Sequence, residues 1–349
     1  MIKFVEGELW DELLEVTQQK NIPLFAMLEL TYACNLNCVH CYIPDKSHNN
    51  DLTTDEIKNI IDDLTDAGCI FLTLTGGEVF KRDDIWEILE YVYFKKFAYQ
   101  IFTNGTFITN EVVEKLKNIH PWEIGISLYS MNEDIHNKIT GVSGSFKKTV
   151  QSILNLRENN IPVRIKTVLM EQNFDGYEEI LKFADKFGIK VHFDFIISPK
   201  NDGDKSPLKY RLSEEKYKIL ICDTRIFPAE NEAKESSKKD NILCHAGKNS
   251  CSISPSGDVY SCIQIPVKAG NIRESSFVDI WKNGKVLNKI RKITENEVIL
   301  CNNCSVVSYC SRCPGQAYIE DGNINGPANI FCRIAKIRKE EEKINESKN

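Results

Sequence analysis

Three cysteines crowd into eight residues, Cys34-Asn35-Leu36-Asn37-Cys38-Val39-His40-Cys41. The stretch just before them, Ala26-Met27-Leu28-Glu29-Leu30-Thr31-Tyr32, reads as a short apolar strand, so the thiols occupy the loop that leaves it. Three thiolates on one loop can hold a metal or an iron–sulfur cluster, and they are one ligand short of closing a four-iron cube. A missing ligand means an open iron, where chemistry can occur. A structural zinc completed by His40 or a distant residue is the alternative.

The wider composition bounds the answer. The chain has 349 residues, 42% of them hydrophobic and 27% charged, enough for a large core and two domains. A net charge of -6 gives no global electrostatic reason to bind nucleic acid or an anionic membrane. No apolar run approaches transmembrane length, and the first ten residues lack a signal-peptide core, which predicts a cytoplasmic protein. There, thirteen cysteines do not make a disulfide framework; metal or cluster ligation is the natural use. Cys69 and Cys222 stand apart and read as buried structural thiols. The other eleven fall in an N-terminal and a C-terminal group.

A short lead-in covers 1–23, with a helical patch around Trp10 to Val16. Over 24–197 strands and helices alternate. Strands are expected at Ile70–Leu74, about Tyr99–Thr103, Ile124–Leu128, Val163–Leu169 and Val191–Ile196, after the first at Ala26–Tyr32. Helices are expected at about 53–67, opened by the capping box Thr53-Thr54-Asp55-Glu56, and at about 84–95, 110–117, 146–158 and 177–187. This predicts an α/β fold: a partial (β/α)6 barrel of parallel strands, followed by a C-terminal cysteine-rich cluster-binding domain. In such sheets the site lies at the C-terminal strand ends. The cysteine loop, Gly76-Gly77-Glu78, Asn104-Gly105 and Ser127 all fall there. Residues 198–243 read as a bridging segment with one helix near Glu214 to Cys222 and a solvated loop at 235–240. The cysteine-rich unit spans 244–335. A charged tail, 336–349, is expected to be helical, with only Ile337 and Ile344 as large apolar residues, too few for a docking stripe.

The second group holds Cys244, Cys251 and Cys262, with Gly257 five positions before the last, then Cys301-x2-Cys304-x5-Cys310-x2-Cys313, then Cys332. Eight thiols make two sets of four, enough for two closed clusters or two zincs. The five-residue gap between the pairs is shorter than a usual zinc-ribbon spacer.

These motifs together resemble the radical S-adenosylmethionine (SAM) superfamily. Cys34-x3-Cys38-x2-Cys41 is similar to its cluster motif and Gly76-Gly77-Glu78 to its methionine-binding motif. The C-terminal cysteines resemble the SPASM extension, with Cys310-x2-Cys313 one residue shorter than the usual spacing. The resemblance implies three 4Fe–4S clusters and S-adenosyl-L-methionine. Cys34, Cys38 and Cys41 would hold the SAM-binding cluster. Cys244, Cys251, Cys262 and Cys313 would hold one auxiliary cluster, and Cys301, Cys304, Cys310 and Cys332 the other. Glu78 would help hold the methionine amino group beside the Gly76-Gly77 backbone, with Ser127 and Asn104 near the methionine or ribose and Tyr42 near the adenine. Arg164 and Lys166 on the fifth strand would either reach the SAM carboxylate or form a salt bridge. His40 would shape its loop and His136 anchor the segment after strand four.

The implied chemistry is reductive cleavage of SAM to a 5′-deoxyadenosyl radical that abstracts hydrogen from an unactivated C–H. The segments 126–130 and 139–146 resemble those of ribosomal-peptide maturases. This implies an oxidoreductase that modifies a ribosomally made peptide, for instance with a thioether or carbon crosslink. Its partners would be the peptide or protein substrate, an electron donor such as ferredoxin or flavodoxin, and a separate leader-peptide-binding protein. Alternatives are a formylglycine maturase of sulfatases, a tetrapyrrole oxidase, and a zinc-binding interaction protein without catalysis. The catalytic acid or base is not identified.

Overall fold

The computed structural model describes residues 7–227, 244–294 and 297–346. The expected loop at 235–240 lies outside the described residues. In chain order the helix α1 (Glu8–Gln19) precedes β1 (Phe25–Glu29), α2 (Thr54–Asp66), β2 (Phe71–Thr75), α3 (Ile85–Phe94) and β3 (Ala98–Thr103). Then come α4 (Asn110–Ile119), β4 (Glu123–Ser127), α5 (Glu133–Thr140), α6 (Ser145–Glu158), β5 (Val163–Val168), α7 (Tyr177–Phe187) and β6 (Lys190–Asp194). After α8 (Glu214–Cys222) the chain forms β7 (Ser250–Ile253), β8 (Asp258–Tyr260) and β9 (Gly270–Asn271). It closes with α9 (Phe277–Asn283), α10 (Lys285–Arg291), α11 (Ile299–Asn302), α12 (Pro314–Asp321) and α13 (Asn329–Glu346).

The six N-terminal strands pair in parallel in sequence order, as the alternation predicts. The capping box forms: Thr53 Oγ1 accepts from the Glu56 amide, and Glu56 Oε2 accepts from the Thr53 amide at 2.8 Å. The face that α2 buries is Ile57, Ile60, Ile61 and Leu64, each worth about 1.5–3 kcal/mol against exposure. On the lumen side, the rings of Phe25 and Phe71 stack at 5.1 Å at the start of β1 and β2. Trp10 of α1 packs edge-on against both, closing the N-terminal end of the barrel.

The sheet does not stop at β1. β7 adds to its far side in parallel, Phe25 opposite Ser250 and Ala26 opposite Cys251, giving the nine-strand order β6-β5-β4-β3-β2-β1-β7-β8-β9. The first strand of the cysteine-rich unit therefore extends the barrel's own sheet.

One element is added to those expected and two expectations need correction. The segment 133–140 is a helix, α5, whose cap was legible: Asn132 Oδ1 accepts from the amides of Asp134 and Ile135, and Gly141 ends it at φ 69°. The tail is not merely charged. α13 begins at Asn329, and Ile330, Ile334 and Ile337 bury against Tyr217 and Leu220 of α8. The apolar stripe starts before residue 336, which hides it from a reading of the tail alone. Finally, Cys69 is buried as expected but Cys222 is exposed, its Sγ 3.6 Å from Glu341 Oε2.

Candidate active site: a three-thiol loop on the barrel rim

The rim assembles from the ends of parallel strands. The loop after β1 carries Cys34, Cys38 and Cys41, all half-buried free thiols. It is pinned by α5: the Asn37 amide donates to Thr140 O at 2.8 Å and the Val39 amide to Ile139 O at 3.0 Å. Burial pushes all three thiols up, Cys38 to about 12, with the neighbouring sulfurs of Cys41 and Cys34 adding to its shift. Three thiols that resist ionising alone, in one patch, suit a cationic iron centre that displaces their protons.

Gly76 and Gly77 follow β2. A Cβ on Gly77 would lie 2.4 Å from Ala33 O and 2.5 Å from Tyr32 O, and one on Gly76 2.3 Å from Thr31 O. Glycine is therefore required here, because backbone packs against backbone where a Cβ would stand. The Gly77 amide donates to Thr31 O at 2.6 Å and the Glu78 amide to Ala33 O at 2.9 Å, so this turn clamps the entry to the cysteine loop. The Glu78 carboxylate is fully buried. It accepts from Thr103 Oγ1 (2.7 Å), the Asn104 amide (2.8 Å) and the Phe80 amide (3.2 Å). Burial raises its pKa against those bonds. A carboxylate has about four acceptor sites, so one remains for an ammonium.

Asn104 reaches the loop, with Nδ2 donating to Asn35 Oδ1 at 2.9 Å and lying 3.9 Å from Cys34 Sγ. Ser127 closes β4, and its side chain is hydrogen-bonded to that of Tyr129. Tyr129, which the sequence reading passed over, also contacts Cys38 through a side-chain hydrogen bond. Its ring meets His40 edge-on at 4.8 Å, and its amide donates to His136 Nδ1 at 3.3 Å. Burial lowers both histidines to about 4, so both rings are neutral wedges around Tyr129.

The remaining expected contacts sort differently. Tyr42 turns its hydroxyl onto the buried Glu29 at 2.5 Å, joined by Tyr32 at 3.2 Å, which ties the exit of the loop to the end of β1. Arg164 sits one strand pair below Ser127 and Lys166 and forms a bidentate pair with Glu123 at 2.6 and 3.0 Å, which takes up the charge expected for a SAM carboxylate. Lys166 is level with Ser127 on β4 and with His192 on β6. Its Nζ lies 3.4 Å over the Phe102 ring, and burial lowers it to about 8. Gly125 makes the room: a Cβ there would strike Phe102 Cδ1 at 2.7 Å and Lys166 Cδ at 3.0 Å.

The eight C-terminal thiols separate in space. Cys262 feels Cys244 and Cys313, and Cys251 feels Cys262. Cys310 feels Cys332, Cys301 and Cys304. The interactions thus follow the two sets of four. Among the described residues, no three histidine, cysteine or carboxylate side chains converge closely enough to hold a single metal ion.

Comparisons with known proteins agree with this chemistry. Residues 28–184 match the Radical SAM superfamily, and 244–314 match an iron–sulfur cluster-binding domain of the SPASM type. The AdoMet-dependent heme synthase of Methanosarcina barkeri is 32% identical over 87% of this chain and 94% of its own length. The mycofactocin maturase MftC of Mycolicibacterium smegmatis is 27% identical over 87% of this chain and 81% of its own. The crystal structure of Streptococcus suis SuiB bound to its precursor peptide SuiA superposes with a TM-score of 0.72 at 18% identity, covering 95% of this chain and 82% of that one. Among the described residues no helix is long and apolar enough to cross a membrane. The chain belongs to the radical S-adenosylmethionine superfamily, and is an enzyme that uses SAM, a 4Fe–4S cluster and the auxiliary iron–sulfur clusters of a SPASM domain.

Proposed function

We propose that this enzyme oxidatively modifies a ribosomally made peptide. The observation that carries the reading is the open side of the barrel. β6 is an edge strand, and its lumen-facing residues His192 and Asp194 stay exposed, which leaves lateral entry for an extended chain beside the rim. Bound cluster and SAM would supply a carbon-centred radical that removes a hydrogen atom from an unactivated C–H.

The chain's own residues do the rest. Cys34, Cys38 and Cys41 hold the cluster, and Glu78 has an acceptor site left for the methionine ammonium. Asn104, Ser127 and Tyr129 fix the floor on which the cofactor lies. The Trp10, Phe25 and Phe71 plug excludes water from below, which a radical site requires. Lys166, lowered by burial to about 8, would accept the proton that a net oxidation releases. Electrons would come from a ferredoxin or flavodoxin, and leader recognition from a separate protein.

A second reading rests on the heme synthase similarity: oxidation of a side chain on a tetrapyrrole. One anaerobic experiment separates them. The reconstituted enzyme, with SAM and reductant, is given either the product of a short neighbouring open reading frame or an iron porphyrin bearing propionates. A peptide lighter by two hydrogens supports the first reading. An unchanged peptide beside an altered porphyrin overturns it in favour of the second.

A further inference from the structure

The shortened spacer Cys310-Ser311-Arg312-Cys313 places two residues between ligands of different auxiliary sets. Arg312 therefore lies on the covalent link between the two sites. The cysteines within its electrostatic reach come from both: Cys301 and Cys310 of one set, Cys313 and Cys244 of the other. Its guanidinium is not mobile. Nε donates to Gly326 O at 2.9 Å, and Nη2 donates to Gly326 O at 2.7 Å and to Ile324 O. Nη1 is buried with no hydrogen-bond partner. No carboxylate among the described residues lies within ion-pair distance of it.

A guanidinium stays charged at any working pH. A partly buried cation with an unmet donor and no carboxylate is costly unless negative charge arrives from elsewhere. A four-iron cluster on four thiolates supplies it, roughly -2 when oxidised and one unit more when reduced. The extra electron is stabilised by a fixed positive charge nearby, which raises the reduction potential.

We propose that Arg312 is the shared counter-ion of the two auxiliary clusters, a fixed charge on the link between them that raises both reduction potentials and so holds an electron on the auxiliary pair. This rests on the assignment of the eight C-terminal cysteines to two clusters, within the radical SAM reading. Arg312 ligates nothing and acts through the clusters, as a positioning residue.

The test uses the full chain, reconstituted anaerobically, with wild type, Arg312→Gln and Arg312→Lys compared. Iron per chain is counted, and the clusters are titrated potentiometrically by electron paramagnetic resonance. SAM addition identifies the N-terminal cluster, since only that one has an open iron. In Arg312→Gln with full iron, the ratio of reduced to oxidised auxiliary clusters at the wild-type midpoint should fall about tenfold, a shift of ~59 mV for one electron. The SAM-responsive midpoint should stay in place, and Arg312→Lys should recover most of the shift. Unchanged auxiliary midpoints at full iron overturn the proposal. If Arg312→Gln loses iron, Arg312→Lys decides: auxiliary iron retained near wild-type potentials supports the charge, and auxiliary iron lost there too assigns Arg312 to the fold of the 324–326 loop and overturns it. A wild type with about four irons and no auxiliary signal removes the two-cluster assignment itself, a result visible before any variant is made.

Discussion

The chain holds thiols in two ways. The N-terminal three sit on a loop braced by a finished hydrophobic core: β1 and β2 beneath, the Gly76–Gly77 turn at the entry, α5 along its side and Glu29 at its exit. Of the C-terminal eight, Cys251 lies on β7 and Cys332 on α13, while Cys301 sits on the four-residue α11 and Cys304 and Cys310 follow it outside any α-helix or strand. In the first region the fold makes the site. In the second, ligation closes the segment 299–313, where Ile299, Leu300 and Val307 stay exposed and little apolar burial would otherwise hold the chain. Losing a ligand should therefore cost chemistry in one place and structure in the other.

Removing one thiol from each region is the strongest way to break this contrast. Cys34→Ala should lower 5′-deoxyadenosine formation by more than about 100-fold, beyond the range of a mere supporting residue, while circular dichroism and melting stay close to wild type. Cys301→Ala should instead expose the 299–313 segment to limited proteolysis. Equal protease resistance in both variants would erase the distinction. Next comes the docked C-terminal helix, which adds ordinary packing to the weaker region. Ile334→Ala, in a position only 6% exposed, should cost about 2–5 kcal/mol in denaturant unfolding. A cost under 0.5 kcal/mol, as for a surface site, would undock α13 from the account.

A third effect of similar size is tied to pH. Burial holds Glu29 up from 4.5 to about 7. The folded state thus keeps a proton that the unfolded chain has released, so stability falls as pH rises from about 4.5 through about 7. The loss is of order 3 kcal/mol, and Glu29→Gln should flatten that slope. A parallel slope in both proteins would mean that Glu29 ionises normally. The smallest effect is expected at the base of the lumen. Arg164→Met should cost under about 1 kcal/mol, because its pair with Glu123 is only partly buried, and SAM affinity should not change. Weakened SAM binding would return Arg164 to the cofactor.

Much of the rim was legible because its signals are local. A capping box, a glycine pair and a three-thiol spacing each act within a few residues, and strand period locates the loops between them. What escaped depends on neighbours distant in sequence. Tyr129 looks like any aromatic after a strand until Cys38 and Ser127 lie beside it. Sequence cannot show that Ala33 O and Tyr32 O occupy the space where a Gly77 Cβ would stand. Glu29 reads as an ordinary strand residue, and only Tyr32 and Tyr42 converging on it reveal a buried acid. α13 was cut at residue 336 because charge density changes there, although the helix ignores the change.

The pairing of β1 with β7 fixes a length. The backbone bonds that run from Phe25 and Ser250 to Leu28 and Ile253 tie Cys251 to the strand that launches Cys34. The two ligand regions are thus held on one ruler, with no hinge between β7 and β1. Electron tunnelling falls steeply with distance, so a spacing set by a sheet ladder bounds the transfer rate between the two regions, independently of the far edge at β6.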